Sequence, residues 1–362
     1  MKKRCSNIEA LRIISMLMIL MLHLLNYGRL LEKSNVLTAK GFCIWFLEAL
    51  CFVAVNCYVI IGGYFLVDSN FKIKRILKIW SETLFYSILI YSIFYFTIYQ
   101  EKTVKETLIN FFPVFLRNYW FVTVYIVLLI LSPFLNKLIN SLSQKQYTYL
   151  IAIIIICFSL WATIVEPVKT INYGGGYSIS WFICLYLIAG YLKKYYKNAH
   201  NRKNVYLIIY FLMSFMNVLA HFLIKKFSIT VIKANFLYSY YSITVVIASV
   251  SLFLYFLNMD IKSKILNWCI YFFAPTTFGI YLIHENPNFR DFLWEKVRLV
   301  LKSAETKTPF LVIIIPIVLF ITFSMIDKIR TNIFKLVSKI KINPKEKVIN
   351  VCNKIEEIMN TK

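Results

Sequence analysis

Apolar positions along this chain come in solid runs and not in alternating patterns. Such runs recur at roughly 13–31, 42–66, 76–99, 119–139, 147–165, 176–192, 205–224, 236–257, 265–284 and 309–327. About 20 apolar residues in a helix cross the roughly 30 Å of a bilayer's hydrocarbon core. The stretch Ile151-Ala152-Ile153-Ile154-Ile155-Ile156 shows their character. Strands of a membrane barrel would alternate apolar and polar residues over about ten positions. Since only helices and closed barrels satisfy their backbones in lipid, the pattern predicts an all-α polytopic integral membrane bundle of about ten transmembrane helices. The first run has a basic start but lacks a small-residue cleavage site, so it reads as a retained helix. Segment 106–118 reads as an interfacial helix leading into the fourth span.

Composition supports this class and excludes others. Apolar residues make up 59% of the chain and charged ones 16%, outside the range of soluble domains. The net charge of +24 would suit a nucleic-acid binder, but its distribution does not. The clusters Lys2-Lys3-Arg4, Lys72/Lys74/Arg75/Lys78, Lys193-Lys194 through Lys203, and Lys328 to Lys362 all fall on one side of the membrane. That asymmetry places both termini in the cytoplasm and turns the charge toward anionic lipid head groups; no nucleic-acid partner is expected. Residues 1–330 read as one transmembrane domain and 331–362 as a cytoplasmic, basic, amphipathic tail. The eight cysteines lie mostly inside apolar runs and form no C-x-x-C, so buried free thiols are expected, with no disulfide and no metal site. Absence of a visible internal repeat counts against transporters built from inverted repeats.

Ionisable residues inside spans carry the most information, because they are costly there and usually functional. Arg12 and His23 stand eleven residues apart in the first span. Eleven steps of about 100° return to within about 20° of the same face, about 16 Å along the axis. Two readings follow. Arg12 snorkels to lipid phosphates and His23 hydrogen-bonds a neighbouring helix, or a cation and a neutral imidazole line one polar channel. In the second, the imidazole can take a proton from a hydroxyl. Glu82, four residues after Lys78, fits an i,i+4 ion pair. Glu48 either faces the chamber or pairs with Arg12 or Arg75. Trp120 suits an interfacial belt or a sugar-stacking surface. His200 and His221 read as incidental, and Gly174-Gly175-Gly176 as a flexible turn.

The chain resembles the membrane-bound acyltransferase family 3, many of whose members O-acetylate bacterial surface polysaccharides. The family's hallmark is an Arg, ten residues, then a His in the first helix after an acidic residue; Arg12, His23 and Glu9 fit it. The likeness continues through Val59-Ile60-Ile61-Gly62-Gly63-Tyr64-Phe65, Arg75-Ile76-Leu77-Lys78, Tyr119-Trp120-Phe121-Val122, Leu131-Ser132-Pro133-Phe134 and Phe278-Gly279-Ile280-Tyr281-Leu282-Ile283-His284. Two positions depart from it. Lys78 stands where the family has a second Arg, and Gly62 where it has a small polar residue.

The resemblance implies a multi-pass protein of the bacterial cytoplasmic membrane that moves an acetyl group from cytoplasmic acetyl-CoA. The acceptor would be a hydroxyl of a surface or capsular polysaccharide, or of its lipid-linked precursor. Acetyl-CoA is then a substrate, and no permanently bound cofactor is expected. His23 would act as general base or transient acyl carrier, with Arg12 beside it. Arg75, Lys78 and Lys74 would hold the donor phosphates; His284, Trp120 and Glu48 would meet the acceptor. The chain also looks too short for the appended esterase-like domain that some members carry. A transporter or flippase, or a polymerase of lipid-linked glycans, would share the helix count and buried charges; transport predicts that CoA does not bind, and a polymerase typically shows a larger outer loop than any expected here.

Overall fold

The computed structural model of the chain describes residues 5–97, 103–116, 118–165, 174–197, 200–230, 233–304, 308–337 and 346–361. Lys2-Lys3-Arg4 and the tail stretch 338–345 lie outside the described residues. Among the described residues there is no strand. The helices are α1 Ser6–Tyr27, α2 Ala39–Cys51, α3 Ala54–Leu66, α4 Ile73–Thr97, α5 Val104–Phe111, α6 Trp120–Ser141, α7 Gln144–Ile153, α8 Trp161–Ile164, α9 Ile179–Tyr195, α10 Lys203–Lys226, α11 Ile243–Leu257, α12 Lys264–Phe273, α13 Thr277–His284, α14 Pro287–Ser303, α15 Thr308–Val337 and α16 Glu346–Asn360. Hydroxyl N-caps start many of them, including Thr38 for α2, Ser143 for α7, Ser178 for α9 and Ser263 for α12, each satisfying an otherwise orphaned N–H.

Among the described residues, eight helical segments are long and apolar enough to cross a membrane: Ser6–Tyr27, Ala39–Leu66, Ile73–Thr97, Trp120–Ser141, Gln144–Ile164, Lys203–Lys226, Lys264–His284 and Thr308–Val337. The other two expected spans are shorter, α9 with 17 residues and α11 with 15. Both are buried nearly all round, α9 without a break from Cys184 to Gly190. A helix apolar on every side belongs inside a bundle, and these two are enclosed by protein. α9 packs on α3 and α6, and α11 on α10, α3 and α1. α1 also touches α2, α12, α13 and α15, which makes it the axis of the bundle.

Several boundaries differ from the apolar runs, each for a local reason. The first helix begins at Ser6 rather than 13, so Arg12 sits within the helix and not at its mouth. The second span breaks at Phe52-Val53, and the freed Leu50 carbonyl accepts a hydrogen bond from the Tyr210 hydroxyl at 2.8 Å. The fifth carries a π-helical turn over Ile154–Leu160. The eighth starts at Ile243 instead of 236 because residues 233–242 form turns tied down by side chains; Asn56 donates to the Tyr240 carbonyl and Ser159 to that of Tyr241. The ninth breaks at Ala274-Pro275-Thr276, where proline lacks an N–H. Helix α15 runs on to Val337, through position 330 where the tail was expected to begin.

Two devices lock the bundle. In the first, Arg330 of α15 grips Asp327 through Nε (2.7 Å) and Nη2 (3.2 Å), and Glu82 of α4 through Nη1 (3.2 Å). Tyr86 donates to the same Asp327 carboxylate at 2.8 Å. Gly279 is required beside it, because a Cβ there would overlap Asp327. In the second, α16 reaches back to α4. Asn360 pairs with the Phe71 amide and carbonyl, and Glu356 accepts from the Ile73 amide at 2.8 Å.

Arg330→Ala leaves buried Asp327 without its paired cation and Glu82 with only the exposed Lys78 at 3.9 Å. A loss of about 3–5 kcal/mol of stability is expected, read as a lowered unfolding midpoint of the detergent-solubilised protein. A midpoint unchanged from wild type would show that the cluster does not hold α15 to α4.

Candidate active site

The helices enclose a cavity of about 1010 Å³ whose two ends differ in chemistry. Arg12, Arg75, Lys78, Arg330 and Lys335 line one end. Around the other stand His23, Asn26, Tyr27, Glu48, Trp120, Tyr177, Tyr240, Glu285 and Arg290. Helix α1 contributes to both, since Arg12 and His23 lie on one face about 16 Å apart by helix rise.

At the basic end the cations are held in different ways. Arg12 is paired within its own helix, its Nη1 lying 2.9 and 3.2 Å from the two oxygens of Glu9. Arg75 is fixed through one nitrogen, which donates to the Ser69 hydroxyl and the Asn70 carbonyl, both at 3.0 Å. Lys78 lies 3.9 Å from Glu82, the i,i+4 spacing read from the sequence. Arg330 is bound up in the carboxylate cluster. Lys74 is exposed and not part of the cavity wall.

At the other end two histidines meet. His284 Nδ1 lies 2.6 Å from the Ile280 carbonyl, and its Nε2 lies 3.1 Å from His23 Nδ1. A carbonyl only accepts, so Nδ1 of His284 carries the proton and its neutral ring offers a lone pair at Nε2. His23 must then donate from Nδ1. Its own Nε2 is left with a free lone pair, the form a general base needs. Glu285 Oε1 stands 3.3 Å from the same Nδ1, near enough to stabilise positive charge on His23, yet without hydrogen-bond geometry to it. Burial pushes the Glu285 carboxyl above the usual carboxylate range, and the neighbouring Arg290 guanidinium pulls it back. Arg290 itself lies over the Tyr27 ring at 5.4 Å, and Tyr27 packs 5.4 Å from His23.

Sequence reasoning placed His284 against the acceptor. The structure puts it behind His23 instead, fully buried and off the cavity wall. His23, His284 and Glu285 also bring ligand-type atoms within 4.8 Å of one another, a constellation absent from the sequence reading, which expected no metal site. The hydrogen bonds to Ile280 and between the rings give both imidazoles partners without an ion. Glu48 pairs with neither Arg12 nor Arg75. It is buried on the wall with Oε2 unpartnered. Trp120 lies 4.5 Å from the Tyr177 ring, which lies 5.0 Å from Tyr240, so three aromatic rings run along this end. Gly176, at φ 93° and with no room for a Cβ beside Tyr240, allows that arrangement.

Glu285, Arg290, Asp327 and Arg330 were not singled out from sequence. Glu285 directly follows the ninth apolar run and reads as loop. Asp327 and Arg330 fall at the edge of the tenth, where carrying the helical period three residues further would have exposed the pair.

The family model of an acyltransferase domain matches residues 6–326. No curated protein and no solved structure matches the chain. The domain spans nearly all of the bundle, including Arg12, His23 and the α13 histidine. The chain therefore belongs to the membrane-bound acyltransferase family 3.

Proposed function

We propose that this acyltransferase moves an acetyl group from acetyl-CoA to a hydroxyl of a surface or capsular polysaccharide, or of its lipid-linked precursor. The observation that carries this reading is one continuous cavity with clustered cations at one end and, at the other, an imidazole whose Nε2 lone pair is free. Polyanionic CoA suits the first end. Guanidinium and ammonium groups suit phosphate, so Arg75 and Lys78, with Arg12 beyond them, hold the donor, and exposed Lys74 adds to the attracting field. An extended pantetheine arm bridges the distance to His23. The positive-inside pattern supports a cytoplasmic basic end and cytoplasmic termini, in what the proposed acceptor implies is a bacterial inner membrane.

At the far end His23 Nε2 removes the proton from the acceptor hydroxyl as its oxygen attacks the thioester carbon. His284 acts as a positioning residue that fixes the tautomer, and Glu285 stabilises the imidazolium. Glu48 accepts hydrogen bonds from sugar hydroxyls, and Trp120, Tyr177 and Tyr240 offer faces to sugar rings.

His23→Ala is expected to insert, fold and bind acetyl-CoA while losing at least about 10²-fold in transfer rate. His23→Gln, which cannot take the proton, should be equally inactive. Near-normal transfer by either variant would remove His23 from the chemistry.

Neutralising Arg75 or Lys78 should weaken acetyl-CoA binding by roughly 1.5–3 kcal/mol. The change should appear in KM rather than kcat, since those contacts are alike in ground and transition states. Calorimetry of acetyl-CoA against purified wild type and Arg75→Ala tests this directly. No binding to folded, active wild type would reject the donor.

A further inference from the structure

Tyr281 stands on the cavity wall with no partner for its hydroxyl. It is 7% exposed, and a buried hydroxyl left unsatisfied costs about 1–3 kcal/mol. Its surroundings are rings: Phe121 at 5.8 Å, Tyr119 and His284 at 6.1 Å. The Phe121 amide, in the first turn of α6, approaches the phenol oxygen but without hydrogen-bond geometry. An amide on that side leaves the O–H hydrogen uncommitted. Neighbouring Tyr119 is the contrast, since its hydroxyl donates to the Leu282 carbonyl and accepts from the Asn286 amide. One tyrosine is fully used, and the hydroxyl of the other, on a residue of the cavity wall, is buried and unpartnered. Tyr281 is also three residues before His284, and so on the same side of α13. The short helix that fixes His23 through His284 therefore also presents a spare donor.

We propose that the Tyr281 hydroxyl donates to the thioester carbonyl oxygen as negative charge develops on it, an inference that rests on the acyl-transfer reading. The acceptor oxygen bonds to the acyl carbon while His23 Nε2 takes its proton, and the carbonyl π pair moves onto oxygen. There the Tyr281 O–H meets it. Collapse of the tetrahedral species breaks the carbon–sulfur bond, and the departing CoA thiolate takes the proton from His23. Tyr281 keeps its own proton throughout, and nothing is oxidised or reduced. A neutral phenol suits this place: it brings no charge into an apolar wall, and a preorganised donor in such surroundings acts more strongly than in water.

The test uses full-length protein in membranes of cells that contain the acceptor, supplied with radiolabelled acetyl-CoA. Label reaching the glycan and lipid-linked fractions is followed for wild type, Tyr281→Phe and His23→Ala. Acetyl-CoA affinity and unfolding midpoints are measured on the purified proteins. Tyr281→Phe is expected to lower kcat by about 10²–10³-fold, with acetyl-CoA affinity within about twofold of wild type. Its midpoint should equal or exceed that of wild type, because only an unpaired hydroxyl is lost. A purely structural tyrosine would change neither rate nor midpoint. A Tyr281→Phe rate within about threefold of wild type, alongside loss of transfer in His23→Ala, would overturn the role of Tyr281 alone. Failure of the wild type to bind acetyl-CoA or transfer label would overturn the acyl-transfer reading and this inference with it.

Discussion

Inside a bilayer's hydrocarbon there is no water to answer a charge or an open backbone group, and this constraint decides where the polar residues of the bundle go. The broken second span is tolerated because the Tyr210 hydroxyl takes up the Leu50 carbonyl. Asn56, fully buried, joins α3 to α9 and to the 233–242 turns by meeting both the Trp181 indole and the Tyr240 carbonyl. Arg330 is tolerated because two carboxylates surround it. Against that background, one carboxylate oxygen each of Glu48 and Glu285 and the hydroxyl of Tyr281, all on residues of the cavity wall, are buried without a hydrogen-bond partner.

The same constraint explains how a histidine acquires a defined tautomer at membrane depth. Solvent cannot exchange the protons of His284, so the Ile280 carbonyl, a fixed acceptor of the helix backbone, determines which nitrogen keeps its hydrogen. That choice passes through one ring to the next and emerges at the cavity as a lone pair on His23. Backbone geometry four residues before His284 thus sets the tautomer of His23.

Much of this was legible in the sequence, and the limits are physical. Solid apolar runs reveal the class, and eight of the ten expected spans are helical segments long enough to cross a membrane, since lipid thickness and helix rise leave little freedom. The eleven-residue step from Arg12 to His23 put both on one face, where the cavity lies. Interruptions were harder to read: Phe52-Val53 holds neither proline nor glycine, and the break is stabilised by residues more than 150 positions away. His284 was visible as a residue of interest, but its place behind His23 depends on how α13 meets α1, which no local pattern encodes. Glu285 and Arg330 were missed because charges at the ends of apolar runs look like ordinary surface residues until tertiary packing buries them.

The return of α16 to α4 has a consequence for the order of assembly. The Phe71 and Ile73 backbone groups at the start of α4 are met by side chains of Asn360 and Glu356, and Phe71 and Asn360 are separated by 289 positions. During synthesis those contacts cannot exist until α16 has left the ribosome, after every helix that lines the cavity. The rim that carries Arg75 and Lys78 is therefore the last part of the cavity to be completed.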